Sequence, residues 1–565
     1  MEPLPVELLQ RIGVVIALLF SLGVVFFLDR PSTLGARLRR RFVLGVPWGT
    51  LVTVVFVLAV YLFLQGGYEH WYSPVTIPFR AWSYFYPLGI ASAAFSHGGA
   101  GHLVGNLVGT LTLAPLAEYA WGHFPRERGS HSFGSLRTNP YVRAFLVFPV
   151  AVVVVGLLTS VFAIGPIIGF SGVVFAFAGV ALVNYPLGTV VALAGGSALR
   201  LVYNTLQTPV LTASGRPGYI TPWWADIAIQ GHALGLLIGV LVGLAVVRSR
   251  SRGDRPSARR LWLGTVLFAV EQSLWAVYWF RGGETFVLYR AAGVILVAAL
   301  ALVVVFAVVA RDDPLFTWEL AGDSEAQSAS DSRTKSRDSV VVRNWQVAAV
   351  VLLLSTAAIA GPAVPANLFT AESGELPGDE LTVRDYEVTY AEDVENGLVA
   401  VVDVEAFGET TAVNTSGVIV RSEQRGIWTT TVTKGRLAFD GQVAVRLGGV
   451  GWRETVYAQR DGWNVLGNGT AYRVALGDNE SGRVVYTSDP VTAAPTLAER
   501  NVTVVPTENR YLLRVDRGNE SLSTQIPAKN ESVTLDGLTF TRNGSRVSVS
   551  YDGTRLQLLA KETYE

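Results

Sequence analysis

The sequence predicts a polytopic α-helical membrane protein with a C-terminal all-β soluble domain. Half of its 565 residues are hydrophobic and only 16% are charged, a composition too apolar for a soluble enzyme. Apolar runs of membrane-spanning length recur as far as residue 364, and beyond them residues alternate as in β-strands. The chain therefore divides into a membrane region and a soluble region.

Ten candidate membrane spans occupy the first region. Eight apolar runs are long enough to cross a bilayer: 10–28, 43–65, 143–164, 187–206, 223–247, 261–280, 289–310 and 345–364. Two weaker, glycine-rich runs, 101–121 and 171–185, contain polar residues that are unusual at membrane depth. The second is short, which burial inside a helical bundle would tolerate. The first of the eight lacks a preceding basic segment and an evident cleavage site, so we expect a retained helix.

Three arginine-rich loops predict the orientation. They follow the first, third and seventh spans and contain Arg37, Arg39, Arg40 and Arg41, then Arg126, Arg128, Arg137 and Arg143, then Arg248, Arg250, Arg252, Arg255, Arg259 and Arg260. With ten spans all three loops fall on one side, which the excess of positive charge marks as cytoplasmic. The N-terminus and the C-terminal region are then both predicted to lie outside.

The region after the last span differs from the rest in charge and pattern. From Ala366 onward there are 28 acidic residues against 19 basic ones, whereas the remainder has 17 against 26. Runs at 398–404, 417–420 and 429–433 alternate as strands do. All Asn-x-Ser/Thr motifs fall in this region, which agrees with extracellular exposure: Asn414, Asn468, Asn479, Asn501, Asn519, Asn530 and Asn543.

Several classes of chemistry find no support in the sequence. There are no cysteines, which excludes disulfides, thiolate catalysis and cysteine-ligated metals. His70, His123 and His131 lack metal-ligand spacing, and no phosphate-cradling loop, dinucleotide fingerprint or nucleic-acid signature is present. The sequence thus predicts no cofactor, no metal and no nucleic-acid partner. It leaves the oligomeric state open.

A serine lies at the start of one glycine-rich run. The segment Gly169-Phe170-Ser171-Gly172 leaves the Ser171 hydroxyl at a helix N-terminus, where backbone amides can face an anion. No strand precedes it, so the likeness to a hydrolase nucleophile elbow is superficial. Taken alone, this serine fits helix packing better than catalysis.

A histidine opens another glycine-rich helix. His232 precedes Gly235, Gly239 and Gly243, whose spacing of four forms a smooth stripe that admits a close neighbouring helix. His232 projects near this stripe because it lies about 20° around the helix from Gly239. If the stripe packs on the run after Gly172, the imidazole reaches the Ser171 hydroxyl, as an activated nucleophile requires. The alternative is a packing or hydrogen-bonding histidine.

A third polar pair lies in the run 101–121. His102 and Asn106 stand four residues apart and share one helix face near its outer end. Both can donate hydrogen bonds to a developing oxyanion. Interhelical polar pairs are also common structural contacts in membranes, so the pair taken alone fits a structural role better.

Together these segments resemble the rhomboid family of intramembrane serine proteases. The likeness runs over His97-x4-His102-x3-Asn106-x11-Glu118, Gly-x-Ser-Gly with a following aromatic and Gly179, and His-x2-Gly-x3-Gly. The resemblance implies that Ser171 is the nucleophile and His232 the general base, with no acidic third member. His102, Asn106 and the Ser171 backbone N–H would form the oxyanion hole. Supporting positions are implied for Phe175, Gly169, Gly172, Gly235, His97 and Glu118.

The resemblance also implies a division of the chain. A six-helix core at 43–248 follows an extra span and basic loop at 1–42, and two additional spans occupy 249–310. The segment 311–344 is polar and predicted to be a disordered cytoplasmic linker before the last span at 345–364. Residues 366–565 form the extracellular β domain. The resemblance implies that transmembrane proteins are the substrates. It also implies that the protein lies in the lipid bilayer of the cell membrane.

One departure and two alternatives accompany this interpretation. The family's first external loop usually carries Trp-Arg about nine residues before the His97 position, whereas this chain has Tyr86-Pro-Leu-Gly there and Arg80-Ala-Trp82 upstream. A non-proteolytic rhomboid-like protein that binds client helices is the main alternative to a protease. A transporter would predict inward-facing charges, for which Glu271 is the main candidate. The loop 207–222 and Trp223-Trp224 are candidates for a substrate gate.

Overall fold

The computed structural model describes residues 6–29, 32–124, 129–211, 217–248, 255–311, 313–319, 339–368, 378–397, 413–467, 469–479 and 481–564. Arg126, Arg128, Arg250 and Arg252 of the basic loops, part of the loop 207–222, the strand pattern at 398–404 and Asn468 lie outside these residues.

Fifteen α-helices occur in the described residues, all but the last of them in the first two thirds of the chain. They are α1 (Val6–Asp29), α2 (Ser32–Arg41), α3 (Trp48–Ala59), α4 (Pro87–Ala93), α5 (Ala100–Trp121), α6 (Pro140–Val142), α7 (Phe148–Phe162), α8 (Ser171–Asn184), α9 (Pro186–Gln207), α10 (Ile229–Arg248), α11 (Ala258–Glu271), α12 (Arg290–Val309), α13 (Asn344–Ala360), α14 (Ala363–Ala366) and α15 (Lys434–Asp440). One-turn π-helices extend α3 to Leu64 and join α6 to α7. In the described residues, seven helices are long and apolar enough to cross a membrane. The predicted polytopic membrane architecture is confirmed.

Six helices form a bundle with α8 at its centre. They are α3, α5, the joined α6–α7, α8, α9 and α10. Helix α8 has only 14 residues, and 12 of them are buried, so the bundle encloses it almost completely. Burial among other helices explains how so short an apolar segment is held at membrane depth. The core of the bundle is built from its Phe, Val and Leu side chains together with those of α5 and α10.

The predicted span 261–280 is wrong in its second half. Helix α11 ends at Glu271, and the aromatic residues that follow form a hairpin of β1 (Tyr278–Phe280) and β2 (Phe286–Leu288). Gly282 and Gly283 turn this hairpin with positive φ angles of 79° and 53°. A short apolar run does not distinguish helix from strand by its hydrophobicity, and this glycine pair decides against a continuous helix.

The predicted linker 311–344 contains ordered backbone at both ends. Strands β3 (Pro314–Glu319) and β4 (Ser339–Arg343) pair in an antiparallel hairpin, which differs from the disordered segment that composition predicts. Residues 320–338 lie outside the described residues. The Val-rich run 340–342 is the local signal that a composition average over the whole segment conceals.

The C-terminal region is rich in antiparallel β-sheet, as predicted. Its strands are β5 (Leu381–Val383), β6 (Tyr386–Glu395), β7 (Asn414–Ser422), β8 (Ile427–Thr433), β9 (Gln442–Gly449), β10 (Trp452–Val465), β11 (Thr470–Gly477), β12 (Gly482–Thr487), β13 (Val491–Thr492), β14 (Asn501–Pro506), β15 (Tyr511–Arg517), β16 (Glu520–Gln525), β17 (Ser532–Leu535), β18 (Leu538–Asn543), β19 (Arg546–Tyr551) and β20 (Thr554–Lys561). They form sheets in the orders β5-β6-β7-β8, β12-β11-β10-β20-β19-β18-β17 with β9 on β10, and β13-β14-β15-β16.

The β domain is docked on the loop that joins α3 to α4. Ile77, Trp82 and Tyr86 of this loop belong to the same buried hydrophobic cluster as Tyr386 and Leu447 of the β domain. Apolar burial is the main stabilising contribution in such a contact, so the loop and the domain stabilise each other. The β domain consequently lies at the end of the bundle where α5, α8 and α10 begin.

Candidate active site

Ser171 and His232 meet at one end of the bundle. Ser171 is the first residue of α8, and His232 lies in the first turn of α10. The distance between His232 Nε2 and Ser171 Oγ is 2.8 Å. This is hydrogen-bonding distance, as expected for a hydroxyl paired with a base.

Glycines allow α8 and α10 to approach at backbone distance. A Cβ added at Gly235 would lie 2.1 Å from Gly172 O, and one added at Gly239 would lie 2.1 Å from Ala176 O. From the other helix, a Cβ at Gly179 would lie 2.3 Å from Leu236 O. Any side chain at these positions would separate the helices. The glycine stripe is therefore the reason that the imidazole reaches the hydroxyl.

Aromatic rings orient the imidazole. The Phe175 ring stacks on the His232 ring with centroids 4.3 Å apart and planes 12° from parallel. Phe268 of α11 packs edge-on against Phe175 at 5.2 Å. His232 Nδ1 has no hydrogen-bond partner among the described residues. The ring is thus held by stacking and not by a carboxylate.

His102 and Asn106 lie beside the loop that leads into Ser171. A Cβ at Gly169 would lie 2.6 Å from His102 Nε2 and 3.7 Å from Asn106 Nδ2, so only a glycine fits there. Gly169 also adopts a φ of 133°, which favours glycine. Asn106 is buried, and its Nδ2 has no hydrogen-bond partner in the described part of the chain. Two side-chain donors therefore converge near Ser171, and the Asn106 amide is uncommitted.

These residues line one cavity of about 510 Å³. Ser171, His232, His102 and Asn106 all contribute to its wall. Its other walls include charged side chains, namely Arg200 of α9, Asp226 of the turn before α10 and Glu271 of α11. A cavity that combines a hydroxyl, a base and free donors can accommodate a peptide group at the hydroxyl.

Glu118 links the C-terminal end of α5 to the N-terminal end of α3. Its carboxylate accepts hydrogen bonds from Gly49 N and Thr50 N, both at 2.8 Å, and from Thr50 Oγ1 at 2.7 Å. His123 Nε2 lies 2.5 Å from Glu118 Oε1, and both side chains are fully buried. A buried carboxylate requires this many partners. Glu118 thus occupies a structural position far from Ser171.

His97 is held through its backbone and not through its ring. Gln65 accepts from His97 N at 2.7 Å and donates to His97 O at 2.8 Å. Both imidazole nitrogens lack hydrogen-bond partners within the described residues. The ring packs edge-on against His102 with centroids 5.2 Å apart. The backbone of His97 is therefore fixed by Gln65, and its ring packs beside His102.

The loop with the unusual Arg80-Ala-Trp82 sequence braces the segment before Ser171. Arg80 Nη1 donates to Pro166 O at 3.2 Å, and Ala81 N donates to Ile167 O at 3.1 Å. Burial lowers the pKa of Arg80, and the charge of Asp226 partly opposes this. Trp82 Nε1 donates to Ile77 O at 2.6 Å. An arginine and a tryptophan thus stabilise this loop in a different order from the one that the family usually has.

Part of the candidate gate contacts the hairpin and the β domain. Trp224 packs on Tyr278 with centroids 5.6 Å apart, and Trp223 packs on Trp275 at 6.2 Å. The hydroxyls of Tyr219 and Thr433 lie 3.0 Å apart. The loop between α9 and α10 therefore contacts the segment after α11, including the hairpin, and the last residue of β8.

Comparison with known families agrees with this geometry. The rhomboid domain model matches residues 84–249, which include α4 to α10 and all four polar residues around Ser171. This chain contains a rhomboid domain. No curated protein and no solved structure gives a significant match. The rhomboid domain, the helices that flank it and the C-terminal β region together make this a multi-pass membrane protein with a rhomboid core.

Sequence reasoning missed several residues around the rhomboid site. Gln65, His123 and Phe268 stand in ordinary apolar or loop surroundings, and no local spacing links them to Ser171 or Glu118. In the sequence, Glu271 is distinguished only as a charge in a predicted span. In the part of the chain that the structure describes, no group of three or more His, Asp or Glu residues is arranged to hold a metal.

Proposed function

We propose that this protein is an intramembrane serine endopeptidase that cleaves transmembrane segments of membrane proteins. The 2.8 Å contact between His232 Nε2 and Ser171 Oγ carries the proposal, since it pairs a nucleophile with a base inside a membrane-embedded cavity. The rhomboid domain supports the same conclusion. Hydroxyl and imidazole groups at membrane depth are costly to retain without a use.

The proposed mechanism uses a dyad. Ser171 Oγ attacks the scissile carbonyl while His232 Nε2 takes the hydroxyl proton, and the imidazolium then protonates the leaving amine. Water then attacks the acyl-enzyme carbonyl while His232 Nε2 takes its proton, the ester bond to Ser171 Oγ breaks, and the imidazolium returns the proton to Ser171 Oγ as the acid product leaves. The lack of a hydrogen-bond partner at His232 Nδ1 in the described chain supports two residues and not three, with Phe175 orienting the ring by stacking.

In the proposed mechanism, residues of α5 and of the start of α8 stabilise the oxyanion. The uncommitted Asn106 Nδ2 and the His102 ring donate to the developing negative charge, together with the Ser171 backbone N–H. Gly169 leaves space for the oxyanion, because a Cβ at this position would clash with the His102 ring.

We further propose that this end of the bundle and the β domain face outside. The basic residues of α2 lie at the opposite end, beside His123, which supports that orientation.

The decisive experiment compares wild type with Ser171→Ala in phosphatidylcholine vesicles that contain a single-span test substrate. We expect the variant to lose cleavage and labelling by a fluorophosphonate completely, because Ser171 Oγ is the hydroxyl that His232 Nε2 contacts. Ser355→Ala is the matched control, since Ser355 lies in α13 and does not line the cavity. Equal cleavage by wild type and Ser171→Ala would exclude the mechanism. A folded wild type that binds but never cuts the substrate would favour a client-binding protein.

A further inference from the structure

Arg200 is an exposed cation in the wall of the cavity, and the proposed mechanism does not use it. It lines the cavity together with Ser171 and His232. No ion pair or hydrogen bond to its side chain occurs among the described residues. An arginine in a membrane-spanning helix is expensive, so an uncommitted one that lines a catalytic cavity indicates a functional role.

Arg200 lies at the depth of the nucleophile. Ser171 begins the 14-residue helix α8, which places it about 20 Å from the turn at Tyr185, at about 1.5 Å per residue. Arg200 is the fifteenth residue of the antiparallel helix α9, which places its Cα about 21 Å from the same turn. The two residues are therefore neighbours in depth on adjacent helices.

The guanidinium of Arg200 lies against α5, the helix next to α9. A Cβ placed on Gly105 would lie 3.9 Å from Arg200 Nη1 and 4.0 Å from Nη2, so both terminal nitrogens face the α5 backbone next to Asn106. Arginines near helix ends commonly extend to the membrane surface. Here the fork instead lies along the wall that carries the oxyanion donors, where a substrate chain bound at Ser171 would pass.

The chemistry of the Arg200 guanidinium indicates which kind of ligand it would bind. A guanidinium presents parallel N–H donors that match a carboxylate bidentately. The cavity's own carboxylates, Asp226 and Glu271, come from the loop before α10 and from α11, and neither lies within ion-pair distance of Arg200 in the described structure. Arg200 is thus available to an anionic group from outside the chain.

We propose that Arg200 is a specificity residue that binds an acidic side chain of the substrate close to the scissile bond. This rests on the proposed proteolytic function and narrows its substrates to transmembrane segments with an Asp or Glu near their cleavage site. The residue does not take part in bond breaking. Its contribution is to position the substrate chain along α5.

The experiment measures kcat/KM for a series of single-span substrates in phosphatidylcholine vesicles. The series places Glu, Gln or Lys singly at each of the positions flanking the cleavage site. For wild type we expect Glu to be preferred over Gln by about tenfold or more at one position, the range of a charge-assisted hydrogen bond. Arg200→Lys should keep the order of preference, Arg200→Gln should remove it, and Arg200→Glu should favour Lys.

The outcomes of this experiment distinguish a failure of the Arg200 proposal from a failure of the proposed proteolytic function. Wild-type rates that agree within about twofold for Glu, Gln and Lys at every position would overturn it, as would a Glu preference that persists in Arg200→Gln. Fluorophosphonate labelling of Ser171 reports whether a slow variant retains a folded dyad. Loss of all cleavage by wild type would instead refute the protease assignment.

A second arm distinguishes substrate carboxylate from lipid phosphate. Half of the phosphatidylcholine is replaced by phosphatidylglycerol, whose phosphate is the competing anion. A Glu preference that survives in these vesicles supports the substrate as the ligand. The opposite result has three parts: anionic lipid alone changes the wild-type rate, Arg200→Gln removes that change, and no Glu preference is seen in either lipid. In that case the ligand is a lipid headgroup and the proposal is wrong.

Discussion

The amide of Asn106 illustrates how a single residue can be placed for a reaction. Its side chain is buried, yet Nδ2 has no hydrogen-bond partner among the described residues. A buried donor without a partner costs about 1–3 kcal/mol, so folding alone does not favour this arrangement. An oxyanion at Ser171 would satisfy it. In the proposed mechanism, the cost is offset in the transition state and not in the resting protein.

Replacing Asn106 by Ala should lower kcat by about 10²-fold or more, with a much smaller change in KM, because the lost bond forms mainly in the transition state. Steady-state cleavage in vesicles measures both constants. Thr110→Ser is a matched control one turn further along α5, since its hydroxyl bonds to Asn106 O and does not face the cavity. A kcat unchanged in Asn106→Ala would remove this residue from the oxyanion hole.

At the scale of elements, the packing of α8 on α10 decides whether the dyad exists. Gly172, Gly179, Gly235 and Gly239 leave the two backbones in direct contact. The spacing of these glycines is visible in the sequence, and it predicts a helix–helix interface. Which helix packs on the stripe is not visible there, because any helix with small residues would satisfy the spacing.

Gly239→Ala should destabilise the bundle and reduce cleavage, since the added Cβ would lie 2.1 Å from Ala176 O, a backbone atom that cannot rotate away. The separation of α8 from α10 should also lengthen the contact of His232 with Ser171. Thermal unfolding in detergent and cleavage in vesicles measure the two effects.

Gly195→Ala is the control for helix propensity. Gly195 lies in α9, and a Cβ there meets nothing within 4 Å. Without a clash the change should raise stability by up to about 1 kcal/mol, because alanine favours the helix over glycine. Similar effects of the two substitutions would show that α8 and α10 tolerate separation.

For the whole molecule, the contact between the β domain and the loop before α4 joins two regions that the sequence presents as separate. Arg425 donates to Asp385 Oδ1 at 2.9 Å and to Tyr86 Oη at 3.3 Å, so it links the β domain to the loop. Burial raises the pKa of Asp385, but hydrogen bonds from Arg425 and Ser422 and the charge of Arg425 outweigh it and leave the pKa lowered. The pair is therefore more stable with Asp385 ionised.

Asp385→Asn should remove a pH-dependent contribution to the stability of this contact. Because the folded pKa of Asp385 lies below the ordinary value of 3.8, its stabilising effect is present above that pH and is lost as pH falls through the lowered pKa. Unfolding of the β domain, followed by tryptophan fluorescence between about pH 5 and 2, should show wild type losing stability relative to the variant. Parallel curves for the two proteins would contradict the assigned role of the pair.

The sequence alone predicts the membrane-spanning helices, the β-rich C-terminal region and the glycine and polar positions of the site. These features are local, since hydrophobic run length and the spacing of glycines and polar residues along one helix are properties of neighbouring residues. The aromatic run after Glu271 shows the limit of such signals, because run length alone predicted a helix where a glycine turn forms a hairpin.

How these parts are joined depends on the tertiary structure. It brought Gln65 to His97, Phe268 to Phe175 and Arg200 into the cavity of Ser171, and it docked the β domain on the loop of Trp82. Each of these contacts joins residues far apart in the chain. Their formation depends on which helix faces pair and which apolar surfaces are buried together, and no spacing along one segment encodes that choice.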